Sequence, residues 1–151
     1  MMRNSLFRLL AGTAFLVTCI HFATAAPVSF NRDIQPILSN NCYKCHGPDN
    51  AARKAKLRLD REVDSRAELK SGTRAIVTGN LEESELIYRI TTKDADERMP
   101  PTDSNKHLTI KQIELLKQWV KEGGKYEQHW SFIPPKAALL PAVKQKNWPR
   151  N

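Results

Sequence analysis

Residues 42 to 46 read Cys-Tyr-Lys-Cys-His, which places two thiols and an imidazole within little more than one helical turn. Such a group could grip a metal, exchange a disulfide or anchor a prosthetic group, so it constrains what the rest of the polypeptide must support. Three chemistries use such a pattern: a tetrahedral zinc site, thiol–disulfide exchange, and covalent attachment of a haem. The choice among them depends on what else the sequence provides.

The chain has 151 residues, enough for one modest domain with extensions. Its start does not read as part of that domain. Arg3 and Arg8 precede an apolar run from Leu9 to Ile20, and Ala23-Thr24-Ala25 supplies a small-residue cleavage pattern. The run is shorter than the roughly 20 apolar residues a membrane span needs. Residues 1–25 are therefore read as a secretory signal cut after Ala25, with a lipoprotein anchor at Cys19 as the alternative, and the mature protein is expected to be periplasmic or exported, without a stable membrane span.

Cleavage simplifies the inventory. Of three cysteines only Cys42 and Cys45 remain, of three methionines only Met99, and the histidines are His46, His107 and His129. A disulfide between Cys42 and Cys45 would close a very small loop and restrain the unfolded chain little, which makes a purely structural staple a poor explanation. The formal charge of +8 falls to +6 once Arg3 and Arg8 are gone. Export and the absence of aromatic residues among Lys44, Arg53, Lys54, Lys56, Arg58 and Arg61 argue against nucleic acid. Those charges read as a solvated face, or as a surface for an acidic redox partner.

Helical periodicity dominates. Phe30, Ile34, Ile37 and Leu38 lie on one helix face, interrupted late by Pro36, which must kink the helix or shorten it. Gly47-Pro48-Asp49-Asn50 closes the cysteine motif as a turn. Leu57 and Leu59 alternate with charge, and Ala75-Ile76-Val77 is a short apolar run, leaving room for a two-stranded piece. A helix is expected from an Asn80 cap with Glu83 as its partner and Leu86, Ile87 and Ile90 as its stripe. The clearest helix has Thr109 as N-cap, Gln112 completing a capping box, a Leu108–Ile113 staple, an apolar face of Ile110, Ile113, Leu116, Trp119 and Val120, and Gly123 at its C-terminus. With aromatics at only 7% the core reads as thin for the chain's length, a gap that one large apolar disc would fill.

Against this background the three chemistries separate. Zinc lacks a second ligand pair, since His107 and His129 fit no usual finger spacing. Thiol exchange lacks the buried strand expected before the motif. The haem reading uses every residue: Cys42 and Cys45 as thioether attachments and His46 as the proximal ligand. For the opposite side of the iron, Met99 lies in the polar loop Glu97-Arg98-Met99-Pro100-Pro101, where the prolines stiffen the backbone, and His107 and His129 compete with it.

The segments VSFNRDIQPIL, CYKCHGPD, KLRLD, AIVTGN, SELIYRIT, DERMPP, LTIKQIELLKQWVKEG and HWSF, running from about Val28 to Phe132, together resemble the planctomycete-type cytochrome c domain, a haem module at the N-terminus of large exported proteins. The resemblance implies a mostly α, cytochrome c-like fold of about three to four short helices around one covalent haem c, attached at Cys42 and Cys45 and ligated by His46 and Met99. It implies single-electron transfer and no enzymatic activity. A haem-based sensory or structural module regulating a downstream partner is the alternative, and a zinc module the weaker one. The expected organisation is a signal at 1–25, a haem domain at 26–127, and a Pro/Lys-rich linker at 128–151 leading to a downstream region absent from the chain. Trp130 and Phe132 are read as packing back on the domain, with docking of the downstream region as the alternative.

Overall fold

Phe30, Ile34, Ile37 and Leu38, the four positions of the first apolar face, are all buried in the computed structural model, which describes residues 26–137. The signal at 1–25 and residues 138–151 of the linker lie outside the described residues. Pro36 divides the first helical segment into two geometries. A π-helical turn, Phe30–Ile34, runs into α1, Gln35–Asn41, and Pro36 sits in the first turn of α1, where its missing N–H costs little. The Ser29 hydroxyl accepts the Arg32 N–H at 3.4 Å, and the Asp33 carboxylate accepts the Ser29 N–H at 3.0 Å, so the N-terminus is capped from both directions.

Three short helices follow: α2 at Tyr43–His46, α3 at Glu62–Ser65 and α4 at Glu85–Thr91. The longest is α5, Ile110–Lys121. Single 3-10 turns lie at Thr102–Ser104 and Trp130–Phe132. The molecule is mostly α, as expected. The anticipated β piece reduces to isolated bridges, Glu68 with Arg74, Arg74 with Ser84 and Val77 with Asn80. The Leu57/Leu59 alternation instead puts both leucines into the wall of one cavity.

The capping box of α5 is present on both sides: the Thr109 side chain accepts the Gln112 N–H at 3.2 Å, and the Gln112 side chain accepts the Thr109 N–H at 2.9 Å. Its C-terminus closes as a Schellman motif. Gly124 N–H reaches the Trp119 carbonyl at 2.8 Å and Gly123 N–H the Val120 carbonyl at 3.0 Å, with Gly123 at φ +109°, a conformation that excludes most side chains. Ile110 departs from the expected stripe. It occupies the first turn and is 82% exposed, because it lies farthest round the helix from the stripe's centre.

Asn80 does not cap α4. Its side-chain oxygen accepts the Glu82 and Glu83 N–H groups in a turn, and the helix starts four residues later, after Ser84. Fully buried Ser84 is also occupied elsewhere: its hydroxyl donates to the Asn80 carbonyl at 2.5 Å and accepts the Val77 N–H at 2.9 Å. Side-chain hydrogen bonds to nearby backbone thus outcompete the cap.

The expectation of a thin core also requires correction. Leu116, Trp119 and Val120 of α5 join Phe30, Ile34, Leu86, Ile87 and Ile90 in one buried cluster. Phe30, Trp119 and Tyr126 stack together, with ring centroids 4.4 Å apart for Phe30–Tyr126 and 5.3 Å for Trp119–Tyr126. Such pairs contribute about 0.5–1.5 kcal/mol each beyond their buried area. The polypeptide therefore makes a core of its own. Phe132 takes no part in it and is 71% exposed.

Candidate cofactor site

Cys42 is the joint between α1 and α2. Its N–H still bonds the Leu38 carbonyl at 2.7 Å, and its own carbonyl accepts the Cys45 and His46 N–H groups at 3.1 and 2.8 Å. One turn of helix thus sets the spacing of the two thiols and the imidazole, because positions three and four apart share a face. Gly47 ends that turn for a steric reason. A Cβ there would stand 2.3 Å from the Tyr43 carbonyl oxygen.

The chain after the motif is pinned by Arg53. Its guanidinium donates to the Gly47 carbonyl at 2.9 Å, the Pro48 carbonyl at 2.7 Å and the Asn50 side chain at 3.2 Å. Lys54 N–H then returns to the Cys45 carbonyl at 2.8 Å, and Ala55 and Lys56 take left-handed φ values of 51° and 57°. Two non-glycine residues held this way mark a costly local conformation. It turns Ala55 and Leu57 toward the motif. Leu59 N–H completes the return by bonding the His46 carbonyl at 2.8 Å, and the Tyr126 hydroxyl holds the Leu59 carbonyl at 3.0 Å.

These segments enclose a cavity of about 370 Å³, within the size range of small-molecule sites. Asn41, Cys42 and His46 form one part of its wall, Ala55, Leu57 and Leu59 a second, and Leu69, Lys70, Ser71 and Ala75 a third. Glu85, Leu86, Arg89 and Ile90 of α4 add another, and Met99, Pro100 and Pro101 complete it. The lining is chiefly apolar, with its charge confined to Lys70 and the Glu85–Arg89 ion pair, 2.7 Å long.

His46 and Met99, separated by most of the domain in sequence, therefore face one space. Met99 is half-buried, its N–H bonds the Arg89 carbonyl at 2.8 Å, and the Met99–Pro100 peptide is cis. Cys42 shares the wall, whereas Cys45 is half-buried and contributes none of it. His107 and His129 are exposed and lie outside the wall. The structure brings Met99 to the cavity and neither competing histidine.

Burial lowers the His46 pKa, against an opposing influence from the Lys54 backbone, which favours the neutral imidazole, the form that binds metals. Its Nδ1 is buried without a hydrogen-bond partner. Burial, with the nearby Cys45 second, pushes the Cys42 thiol up to about 12. That is the reverse of the depressed thiol that disulfide exchange requires. Among the described residues no three His, Cys, Asp or Glu side chains gather as a metal site, and no helix is long and apolar enough to cross a membrane.

Four contributing residues, Arg53, Glu85, Arg89 and Tyr126, are not legible as such in the sequence. Arg53 reads in sequence as part of the solvated basic face, and nothing nearby in the chain reveals its three acceptors. Glu85 and Arg89 carry a recognisable i, i+4 signal, but their position in the cavity wall depends on the tertiary fold. Tyr126 acts from beyond α5.

Residues 42–103 match the family model described as Planctomycete cytochrome C. The stretch begins at the first motif cysteine and includes Met99, and it is narrower than the Val28–Phe132 resemblance, leaving α5, Tyr126 and Glu127 outside. No curated protein and no solved structure matches the chain.

Proposed function

We propose, on the premise that this chain carries a planctomycete-type cytochrome c domain at residues 42–103, that it binds one covalent haem c in the cavity and transfers single electrons. The observation that carries the reading is that Cys42, His46 and Met99 line the same apolar space. When bound, the haem supplies a one-electron iron couple whose potential depends on axial ligands and burial.

The residues present fit such a group. Cys42 and Cys45 would hold it through thioethers. His46 would ligate from the motif side through a neutral imidazole, its backbone fixed at both ends by Cys42 and Leu59. Met99 would be the second ligand from this chain, a neutral thioether that raises the potential. Leu57, Leu59, Leu86 and Ile90 would surround the group with apolar side chains, which favours its less charged state.

The partner proposed is an acidic redox protein. Lys44, Lys54 and Lys56 are exposed around the motif, and Lys70 stands in the cavity wall. Complementary charge mainly accelerates encounter, so electron exchange should slow as salt rises. The proposal includes export, with cleavage after Ala25. Acid–acetone extraction of protein matured with a haem-attachment system tests the reading. The haem should remain with the polypeptide, and its complete extraction would refute covalent attachment.

A further inference from the structure

We infer that Arg89 is the positioning residue for Met99, an inference that rests on the ligand role proposed above for that methionine. Helix α4 and the 97–99 segment are joined three times. Met99 N–H donates to the Arg89 carbonyl at 2.8 Å, Arg89 Nη1 donates to the Glu97 carbonyl at 3.2 Å, and the Tyr88 hydroxyl donates to the Glu97 carboxylate. Arg89 makes two of these links, one through its backbone and one through its side chain. The segment is thereby fastened to one residue on both sides of Arg98.

The anchor is itself anchored. Glu85, one turn earlier on α4, accepts Arg89 Nε at 2.7 Å, and both residues belong to the cavity wall. Arginine's planar fork lets it engage Glu85 and the Glu97 carbonyl together, which the single ammonium of lysine does less well. This matters because a methionine thioether is a soft, neutral group on a flexible stem. Its hold on a ligand depends on how firmly the backbone presents it. Pro100 and Pro101 restrict the chain after Met99, and Arg89 fixes the chain before it.

The test uses the full chain matured with haem, carrying Arg89→Leu, Arg89→Lys or Met99→Ala. Arg66→Leu serves as a fold control, because Arg66 holds the Gly123 and Gly124 carbonyls at 3.0 Å and pairs with Glu62, away from the 97–99 segment's hydrogen bonds. The readouts are covalent haem per chain, the ferric thioether-to-iron charge-transfer band, and the apparent affinity for added imidazole, which competes with Met99. Arg89→Leu should retain covalent haem, weaken the band and tighten imidazole binding roughly tenfold, the loss of about one charge-assisted hydrogen bond. Arg89→Lys should fall between it and the wild type. Arg66→Leu should lower the melting temperature and leave imidazole affinity unchanged. Should Arg89→Leu not fold, Glu85→Gln replaces it and should tighten imidazole binding in the same direction. A wild-type band and affinity in the Arg89 variant, or in its replacement, beside a lost band in Met99→Ala overturns the inference and leaves the ligand role standing. An unchanged band in Met99→Ala removes the ligand role itself.

Discussion

The Glu127 carboxylate caps the helix that leads to Cys42, accepting the Phe30 N–H at 3.1 Å across 97 positions of sequence. It also accepts the Asn31 N–H and the Ser29 hydroxyl at 3.1 Å each, while the Asn31 side chain bonds the Gln128 carbonyl at 2.8 Å. Backbone N–H groups at a helix start have no partner within the helix, so an acceptor from elsewhere stabilises it. Residues that follow α5 thus hold the first turn of the helical segment that leads to the Cys42–His46 motif.

Glu127→Ala should lower folding stability by about 1 kcal/mol, the typical effect of losing an N-cap. Urea unfolding monitored by circular dichroism checks this. A midpoint identical to the wild type would show that water replaces the carboxylate without cost.

Gly47 and Gly72 should respond differently to alanine. At Gly47 the new Cβ meets the Tyr43 carbonyl oxygen at 2.3 Å, and overpacking against backbone costs about 1–3 kcal/mol. At Gly72 nothing lies within 4 Å, and only its φ of +81° opposes a side chain, a penalty of about 1 kcal/mol. Gly47→Ala should in addition reduce the yield of haem-loaded protein, because α2 must shift. Equal melting temperatures and equal haem loading for the two variants would contradict the assignment.

Tyr126→Phe tests the far end of the chain that reaches His46. The lost hydroxyl leaves the Leu59 carbonyl without its 3.0 Å donor, while the Leu59 N–H still holds the His46 carbonyl. An acceptor left unsatisfied costs about 1–3 kcal/mol. Amide exchange at Leu59 should quicken. Unchanged protection there would mean that Tyr126 contributes only its ring to the aromatic trio.

Acid should loosen the same segment. Burial raises the Asp60 pKa, but the Arg58 guanidinium, bonded at 2.5 and 3.0 Å, outweighs it and holds the carboxyl below its usual value. A carboxyl with a depressed folded-state pKa adds stability above the unfolded value, about pH 4. That stability disappears as pH falls through the lower folded-state value. Asp60→Asn should therefore reduce stability at neutral pH and flatten its dependence on pH below that range. Parallel stability–pH profiles for the variant and the wild type would rule out the linkage.

The features legible in sequence are those whose partners are local. Thr109 and Gln112 form their capping box because both partners lie within one turn, and Phe30, Ile34, Ile37 and Leu38 are buried because a helical stripe has one way to face inward. Asn80 failed as a cap because its side chain had a second local partner, and propensity does not decide between the two. Arg53, Glu127 and Tyr126 were invisible because their acceptors come from loops or from the opposite end of the chain. The aromatic trio was missed for the same reason: a low aromatic content does not indicate that three rings meet. Met99 stands out in sequence as the one methionine left after signal cleavage, and its place in the same cavity wall as His46 follows from the straps between α4 and the 97–99 segment.

The central claim is tested most directly by the intact mass of the exported protein, followed by fragmentation of the peptide that spans Cys42 to His46. The expected result is one haem per chain, bound through both Cys42 and Cys45, with neither thiol open to alkylation. A folded protein at its polypeptide mass, with both thiols alkylated in full, would contradict it.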